Sequence, residues 1–338
     1  MKKFLLPESG NFYKANLHCH STWSDGKHSP EELKKLYKEM GYSVLSVTDH
    51  RGLFSHYELD DDEFITLTGM ELDFDERHGV NYDDCITTHI CAIAKDKENF
   101  VQPGFDPTYR VPKMKWSVDE EKRALARPFG EPFRDDHWHM YVQYVMKTLR
   151  DNGFYVTYNH PTWSFENYPV YMNYTEFDCL EIYNHGCFMS GYDEHNGKVY
   201  DDMLRHGRRI NCLCADDTHT DRDLFGGFTM LKAQSLTYDN MIDALEKGNF
   251  YGSTGPLIDS LWVEDGYLCV RAQTPVEFIR MVSGHRYAGR VASDDGTKVT
   301  EARFLIKPDC YYMRLELVDG SRRAYTNAYF TDELLADR

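Results

Sequence analysis

The chain has 338 residues, enough for one large domain or for a large one with a small companion. Its 41% hydrophobic and 14% aromatic residues exclude a disordered chain and can fill a substantial core. A net charge of −17, from 38 Lys+Arg against 55 Asp+Glu, disfavours a protein that coats long nucleic acids, though a local site could still take one phosphate or carboxylate.

Taken in chain order, the first third has a strand–helix rhythm. Phe12 to His18 reads as a strand leading into His18-Cys19-His20. Ser29 is a helix N-cap, with Pro30 in the first turn and Glu32 closing a capping box. Leu33, Leu36, Tyr37 and Met40 follow at helical spacing until Gly41. Tyr42 to Thr48 is a β-branched, apolar strand ending at Asp49-His50. Phe64 to Leu72 and Cys85 to Ala94 read as further strands.

Residues 95–136 break the rhythm with five prolines and many charges, and predict a long excursion at the rim. A helix is expected over His139 to Asn152, then strands at Phe154 to Asn159, Cys179 to Tyr183, Arg209 to Ala215 and Phe228 to Lys232. A last helix spans Thr237 to Lys247. Such alternation favours βαβ units, a parallel sheet and a closed or distorted barrel over residues 1–255. Gly252-Ser253-Thr254-Gly255 reads as a turn between domains. Residues 256–338 alternate in short strands with turns at Glu264-Asp265-Gly266 and Val318-Asp319-Gly320, and predict a small β-rich domain.

Nine scattered Cys and no hydrophobic leader in the first residues point to reduced thiols and a cytoplasmic protein. No run approaches the ~18 apolar residues of a membrane helix. There is no G-x-S-x-G elbow and no phosphate-binding P-loop.

The strand ends carry the chemistry. They hold His18 and His20, then Asp25, His50, Glu71, His89, His160, Asp217 and His219. In parallel α/β folds these ends converge on one face. His18 and His20 share a face because the side-chain period of a strand is two, and Asp217 and His219 repeat the spacing. Asp216 competes with Asp217, but only Asp217 lies two residues before His219. A lone His at a strand end is usually an ordinary polar residue. Six of them with three carboxylates predict divalent metals of the Zn, Mn or Fe type. Without a cation, so many converging ionisable groups would repel or stay unsatisfied. Arg51 and Arg222 are the candidates for binding a phosphate, and His185 for lining the pocket. His137 and His139 read as surface residues.

The run NLHCHSTWSDGKHSPEEL, followed by VTDH, GMEL, HICAIA, NHP and DDTH, resembles the PHP (polymerase and histidinol phosphatase) family of metal-dependent phosphoesterases. These motifs lie in family order over residues 16–219. The resemblance implies a distorted (β/α)7 barrel with two or three divalent ions. One would be held by His18, His20, Glu71 and Asp217. A second would be held by Glu71, His89 and His160, and a third by Asp25, His50 and His219. Some family members carry His in place of Asp25. Glu71, Asp217 and His219 would also serve catalysis.

The expected reaction is hydrolysis of a small phosphorylated molecule or nucleotide by a hydroxide bridging two metals. Long nucleic acids and membranes are not expected as partners. The segment from FYGSTGP onward is similar to the carbaryl-hydrolase-like branch of the family, which puts a metal-dependent carboxylesterase or carbamate hydrolase beside the phosphoesterase. A non-catalytic metal-binding scaffold is the remaining alternative. The nine filled ligand positions argue against it.

Overall fold

The computed structural model describes residues 2–76, 85–103, 127–129 and 138–336. Most of the expected excursion over 95–136, and His137, lie outside the described residues.

The N-terminal part is an α/β unit of seven strands: β2 (Asn11–Asn16), β3 (Val44–Val47), β4 (Ile65–Asp75), β5 (Thr87–Ala94), β8 (Phe154–Tyr158), β9 (Cys179–Asn184) and β10 (Asn211–Ala215). They are hydrogen-bonded in that order. The helix before β3 spans Pro30–Glu39, and Ser29 and Glu32 form the capping box expected of them. The helices Trp138–Asp151 and Tyr238–Glu246 also fall where the periodicity put them.

The run of strands curls until its ends meet. Beyond β2 and β10, Cys19 and Thr218 form a parallel bridge. The Asp217 amide donates to the His18 carbonyl at 2.9 Å, and the His20 amide to the Thr218 carbonyl at 3.0 Å.

The sheet departs from the expected parallel pattern at one strand. β5 runs antiparallel to both neighbours, β4 and β8. The reason lies in the connection: residues 76–86 are fewer than the dozen or more that a parallel crossover needs. Reversal leaves His89 at the start of β5, opposite Asp73 near the end of β4. An antiparallel strand thus delivers its side chain to the same face as its parallel neighbours.

The second departure concerns the glycine-rich turn. Phe250–Ser253 forms a strand, β12, between β11 (Phe228–Ala233) and β19 (Arg322–Thr326). β11 in turn pairs with β2. The sheet therefore runs without a break from the α/β unit into the C-terminal strands. Only the residues after Ser253 turn, with the Ser253 hydroxyl donating to the Pro256 carbonyl at 2.6 Å.

The C-terminal residues build two layers. One sheet holds β1 (Lys3–Phe4), β13 (Ile258–Glu264), β14 (Tyr267–Val276) and β17 (Val299–Leu305). The other is the extension through β19 to β18 (Tyr312–Asp319) and β15 (Phe278–Ser283). Leu261, Val270, Ile279 and Leu315 fill the core between them. The turns expected at Asp265-Gly266 and Gly320 form with positive φ.

A buried ion pair joins the two parts. Arg314 of β18 is 2% exposed and grips Asp201 of the helix Gly197–Arg205 through Nε and Nη2, at 2.8 and 2.9 Å. Its Nη1 donates to Glu316 at 2.6 Å. Removing one member of a buried pair strands the other charge. Asp201→Ala is expected to lower stability by about 3 kcal/mol, read as a lower urea midpoint, whereas an exposed control such as Asp243→Ala should change it little.

Candidate metal centre

All nine expected ligands come together at one end of the strands. His18 and His20 follow β2, and their rings lie 5.3 Å apart. His50 follows β3 and bridges to Glu71 in β4. His160 follows β8, and Asp217 follows β10. His160 and Asp217 have positive φ, as does Arg51 next to His50. Left-handed backbone at non-glycine residues is costly and tends to persist at functional sites. The other seven residues of the cluster are nearly inaccessible, while the side chains of Asp25 and His219 remain 21% and 33% exposed and mark the mouth.

The donor atoms form three overlapping groups: His18, His20 and Asp217; His18, Glu71 and His160; and His20, Asp25, His50 and His219. His18 Nε2 lies 3.1 Å from Glu71 Oε1 and 3.2 Å from Asp217 Oδ1. His20 Nε2 is 3.2 Å from the same Asp217 oxygen and from Glu71 Oε2. His89 Nδ1 and His160 Nε2 sit 3.1 and 3.4 Å from Glu71 Oε1. Asp25 Oδ1 is 3.4 Å from His219 Nε2 and 3.7 Å from His50 Nε2. For bonds of ~2.1 Å, ligand atoms around a tetrahedral ion stand about 3.4 Å apart. The groups have that spacing.

The tautomers explain why a cation fits. His18 Nδ1 is 3.0 Å from the buried Glu181 carboxylate, which can only accept, so Nδ1 carries the proton. His219 Nδ1 faces the Asp217 carbonyl at 3.1 Å and is protonated for the same reason. Each ring then turns the lone pair of Nε2 toward carboxylate oxygens. The Nε2 atoms of His18 and His20 also face each other at 3.3 Å. Lone pairs can converge in this way only around a proton or a metal. His89 Nε2, His50 Nδ1 and Asp217 Oδ1 are buried with no hydrogen-bond partner among the described residues.

Without metal, protons take over that role. Burial opposes charge on His18, yet the carboxylates of Asp217, Glu71 and Glu181 overcome it and hold its pKa well above the usual value. Burial likewise opposes ionisation of Glu71, but His18, His89 and His160 keep its pKa well below the carboxylate range.

Supporting residues that the sequence reading passed over surround the cluster. Glu181 accepts from the His160 amide at 3.1 Å as well as holding His18. A fully buried Glu in the apolar strand Cys179–Asn184 was the available signal. Asp49 accepts from the Ser21 amide and from the hydroxyls of Ser21 and Ser24, at 2.8, 2.6 and 2.6 Å, and so shapes the loop between His20 and Asp25. Trp163 packs edge-on to the rings of His89 and His160 at 5.2 and 5.0 Å.

Asp216 and Asp217, adjacent in sequence, have different surroundings. Asp217 faces the histidines. Asp216 accepts from the amides of Phe225, Gly226 and Gly227 and from the Tyr37 hydroxyl, all within 2.9 Å. Burial pushes its pKa up to about 7 despite those donors.

The three residues expected to meet substrate have other partners. Arg51 is buried, and its guanidinium closes on Asp73 through Nε and Nη2, both at 2.8 Å. Asp73 in turn lies 3.6 Å from His50 Nδ1. Arg222 has a side chain 58% exposed, bonded to Asp223 and to the Ser190 hydroxyl. His185 bonds the Tyr183 hydroxyl at 2.8 Å and lines a separate cleft, to which none of the nine residues contributes.

No family model matches the chain. It is 31% identical over 109 residues to the DNA polymerase/3′-5′ exonuclease PolX of Bacillus subtilis (strain 168), a match over 27% of this chain and 19% of that protein. It is 32% identical over 103 residues to an error-prone DNA polymerase of Cutibacterium acnes (strain DSM 16379 / KPA171202), over 28% of this chain and 9% of that one. The similarity thus spans less than a fifth of either polymerase. Among solved structures, a two-domain protein of Bacteroides vulgatus ATCC 8482 containing a PHP-like metal-dependent phosphoesterase matches over 97% of this chain and 90% of that one, at 12% identity and a TM-score of 0.46.

Fold and site together define a class: an α/β protein whose strand ends carry a histidine–carboxylate cluster suited to divalent metals. Within that class, by the order of its motifs and the convergence of all nine residues that carry them, the chain resembles the PHP family of metal-dependent phosphoesterases.

Loss of a carboxylate that orients a ligand histidine usually weakens metal binding about 10–100-fold. Glu181→Gln is expected to do so here, while Glu71→Ala should remove most of the bound metal. Elemental analysis after dialysis against graded chelator would read both. Unchanged metal content in Glu71→Ala would contradict the assignment of the centre.

Proposed function

We propose that the chain is a metal-dependent hydrolase built on a distorted (β/α)7 barrel of PHP type, with residues 256–338 as a small β-rich companion domain. It acts as a phosphoesterase on a small phosphorylated molecule or nucleotide. The observation that carries this reading is the set of imidazole lone pairs, fixed by Glu181 and the Asp217 carbonyl, that face carboxylates of the cluster.

His18, His20, Glu71 and Asp217 would hold one ion. Glu71, His89 and His160 would hold a second, and Asp25, His50 and His219, with His20 close by, a third. Zn, Mn and Fe all suit this donor set. Such ions supply Lewis acidity and lower the pKa of bound water to ≈ 7. The chain itself contributes the rest. Glu71 offers one oxygen to each of two donor groups. Glu181, Asp49 and Asp73 orient the rings and loops. Asp25 and His219, at the mouth, are where a substrate would first meet the centre. His219 has Nδ1 fixed by a backbone carbonyl, so its Nε2 would either join the third ion or, where that ion is absent, hold a proton at the mouth.

A second reading has the same centre cleaving an acyl or carbamate ester. One observation favours it: both arginines expected to clamp a phosphate are engaged elsewhere, Arg51 by Asp73 and Arg222 by Asp223.

The test is a substrate panel on protein reconstituted with Mn²⁺ or Zn²⁺. The expected result is phosphate release from p-nitrophenyl phosphate and nucleoside monophosphates, lost on chelation and in Glu71→Ala, and restored by added metal. Cleavage of p-nitrophenyl acetate alone would establish the second reading. A protein that binds metal and cleaves neither would leave a scaffold.

A further inference from the structure

A cleft unrelated to the metal centre lies where the outer face of β2 and β11 meets the segment His185–His195 and the C-terminal strands. Its volume is about 610 Å³, within the range of small-molecule sites. Among the described residues that line it none is acidic, although the chain has 55 Asp+Glu. Lys14, Arg322, His185 and His195 are among them. Burial holds the pKa values of His185 and His195 down, so the positive charge of the cleft comes from Lys14 and Arg322; in a protein of charge −17, that lining suits an anion.

Its walls are aromatic. Tyr183, Phe188 and His195 form a continuous cluster, with centroids 4.8 to 5.8 Å apart. Phe225 and Phe228 line the cleft as well. Lys14 Nζ sits 3.9 Å from the Tyr42 ring centre and 4.5 Å from that of Phe228. No carboxylate lies within salt-bridge distance of Lys14 or Arg322 among the described residues. Burial lowers the Lys14 pKa and the field of Asp216 offsets this only in part; that carboxylate already accepts four hydrogen bonds. Lys14 is thus a half-buried ammonium whose nearest partners are rings, a state that an incoming anion relieves.

The shape of the cleft is specified locally. A Cβ at Gly226 would stand 2.1 Å from the His185 ring, so only glycine lets that imidazole lie on the cleft wall. A Cβ at Gly255 would meet Arg322 Cδ at 2.6 Å, so glycine there lets the arginine stem cross the rim. Phe225 is held with φ of 69°, its amide bonded to Asp216. Strained backbone of this kind persists where surrounding structure over-determines it.

We propose that this cleft is a second ligand site, for a small aromatic anion: a planar ring between the aromatic walls, with its phosphate, sulfonate or carboxylate between Lys14 and Arg322. The proposal is independent of the reaction at the metal centre, because no residue is shared.

The test uses the full chain and 1-naphthalenesulfonate, which a phosphoesterase or acyl esterase does not hydrolyse, with isothermal titration as readout. The expected result is binding at one site, weakened about tenfold or more in Lys14→Gln and in Arg322→Gln, and unchanged in Glu71→Ala. Arg322 is exposed, so Arg322→Gln carries the comparison if Lys14→Gln does not fold. Cyclohexanesulfonate should bind more weakly, because it lacks the ring face. Absence of binding at millimolar concentration would overturn the proposal. So would binding that persists in Arg322→Gln but disappears in Glu71→Ala.

Discussion

The site is organised around one buried carboxylate. Five imidazoles, those of His18, His20, His50, His89 and His160, approach the two oxygens of Glu71 within 3.4 Å. The Asn159 amide adds a donor at 3.1 Å. An anion so enclosed cannot be solvated by water, and a single residue cannot neutralise it. It has to be surrounded by groups from several strands, and this requirement fixes where those strands go. β4 lies inside the sheet with β3 on one side and β5 on the other, and both neighbours deliver a histidine to it.

That arrangement shows which parts of the molecule could be read from the chain alone. The H-x-H and D-x-H spacings are local features of the chain, and they point to His18, His20, Asp217 and His219 even though these residues lie just beyond the ends of β2 and β10. The capping box at Ser29 is equally local. The reversed direction of β5 was not legible from the strand itself, since Thr87–Ala94 is buried throughout and its residue pattern does not encode a direction. The fate of Arg51 was not legible either. Its partner Asp73 lies two residues beyond Glu71, on the same face of β4, and only the pairing of β3 with β4 brings the two together. The run of β12 into β19 joins segments about seventy residues apart, by register that short-range patterning does not encode.

Asp216 and Asp217 show how one strand end can serve two purposes. Just beyond β10 the backbone turns left-handed at Asp217, and the two carboxylates are divided between the site and the loop behind it. Asp217 meets cationic or metal-seeking groups and stays ionised. Asp216 gathers three backbone amides of the 225–227 loop and a tyrosine hydroxyl, and so fastens the segment that forms one wall of the neighbouring cleft. The two pockets share no side chain, yet consecutive residues shape both.

The seam that closes the sheet has a consequence for how the protein is made. His18 and Asp217 are joined through their own backbone, and both belong to the same donor group. A ribosome releases the first of them long before the second, at about 5–20 residues per second. For on the order of ten seconds or more the nascent chain carries histidines with no carboxylate partner from the far edge. Any ion captured early is held by a partial ligand set, through imidazoles alone or with Glu71. The donor group of His18, His20 and Asp217 therefore exists only once Asp217 has reached the seam, near the end of the α/β unit.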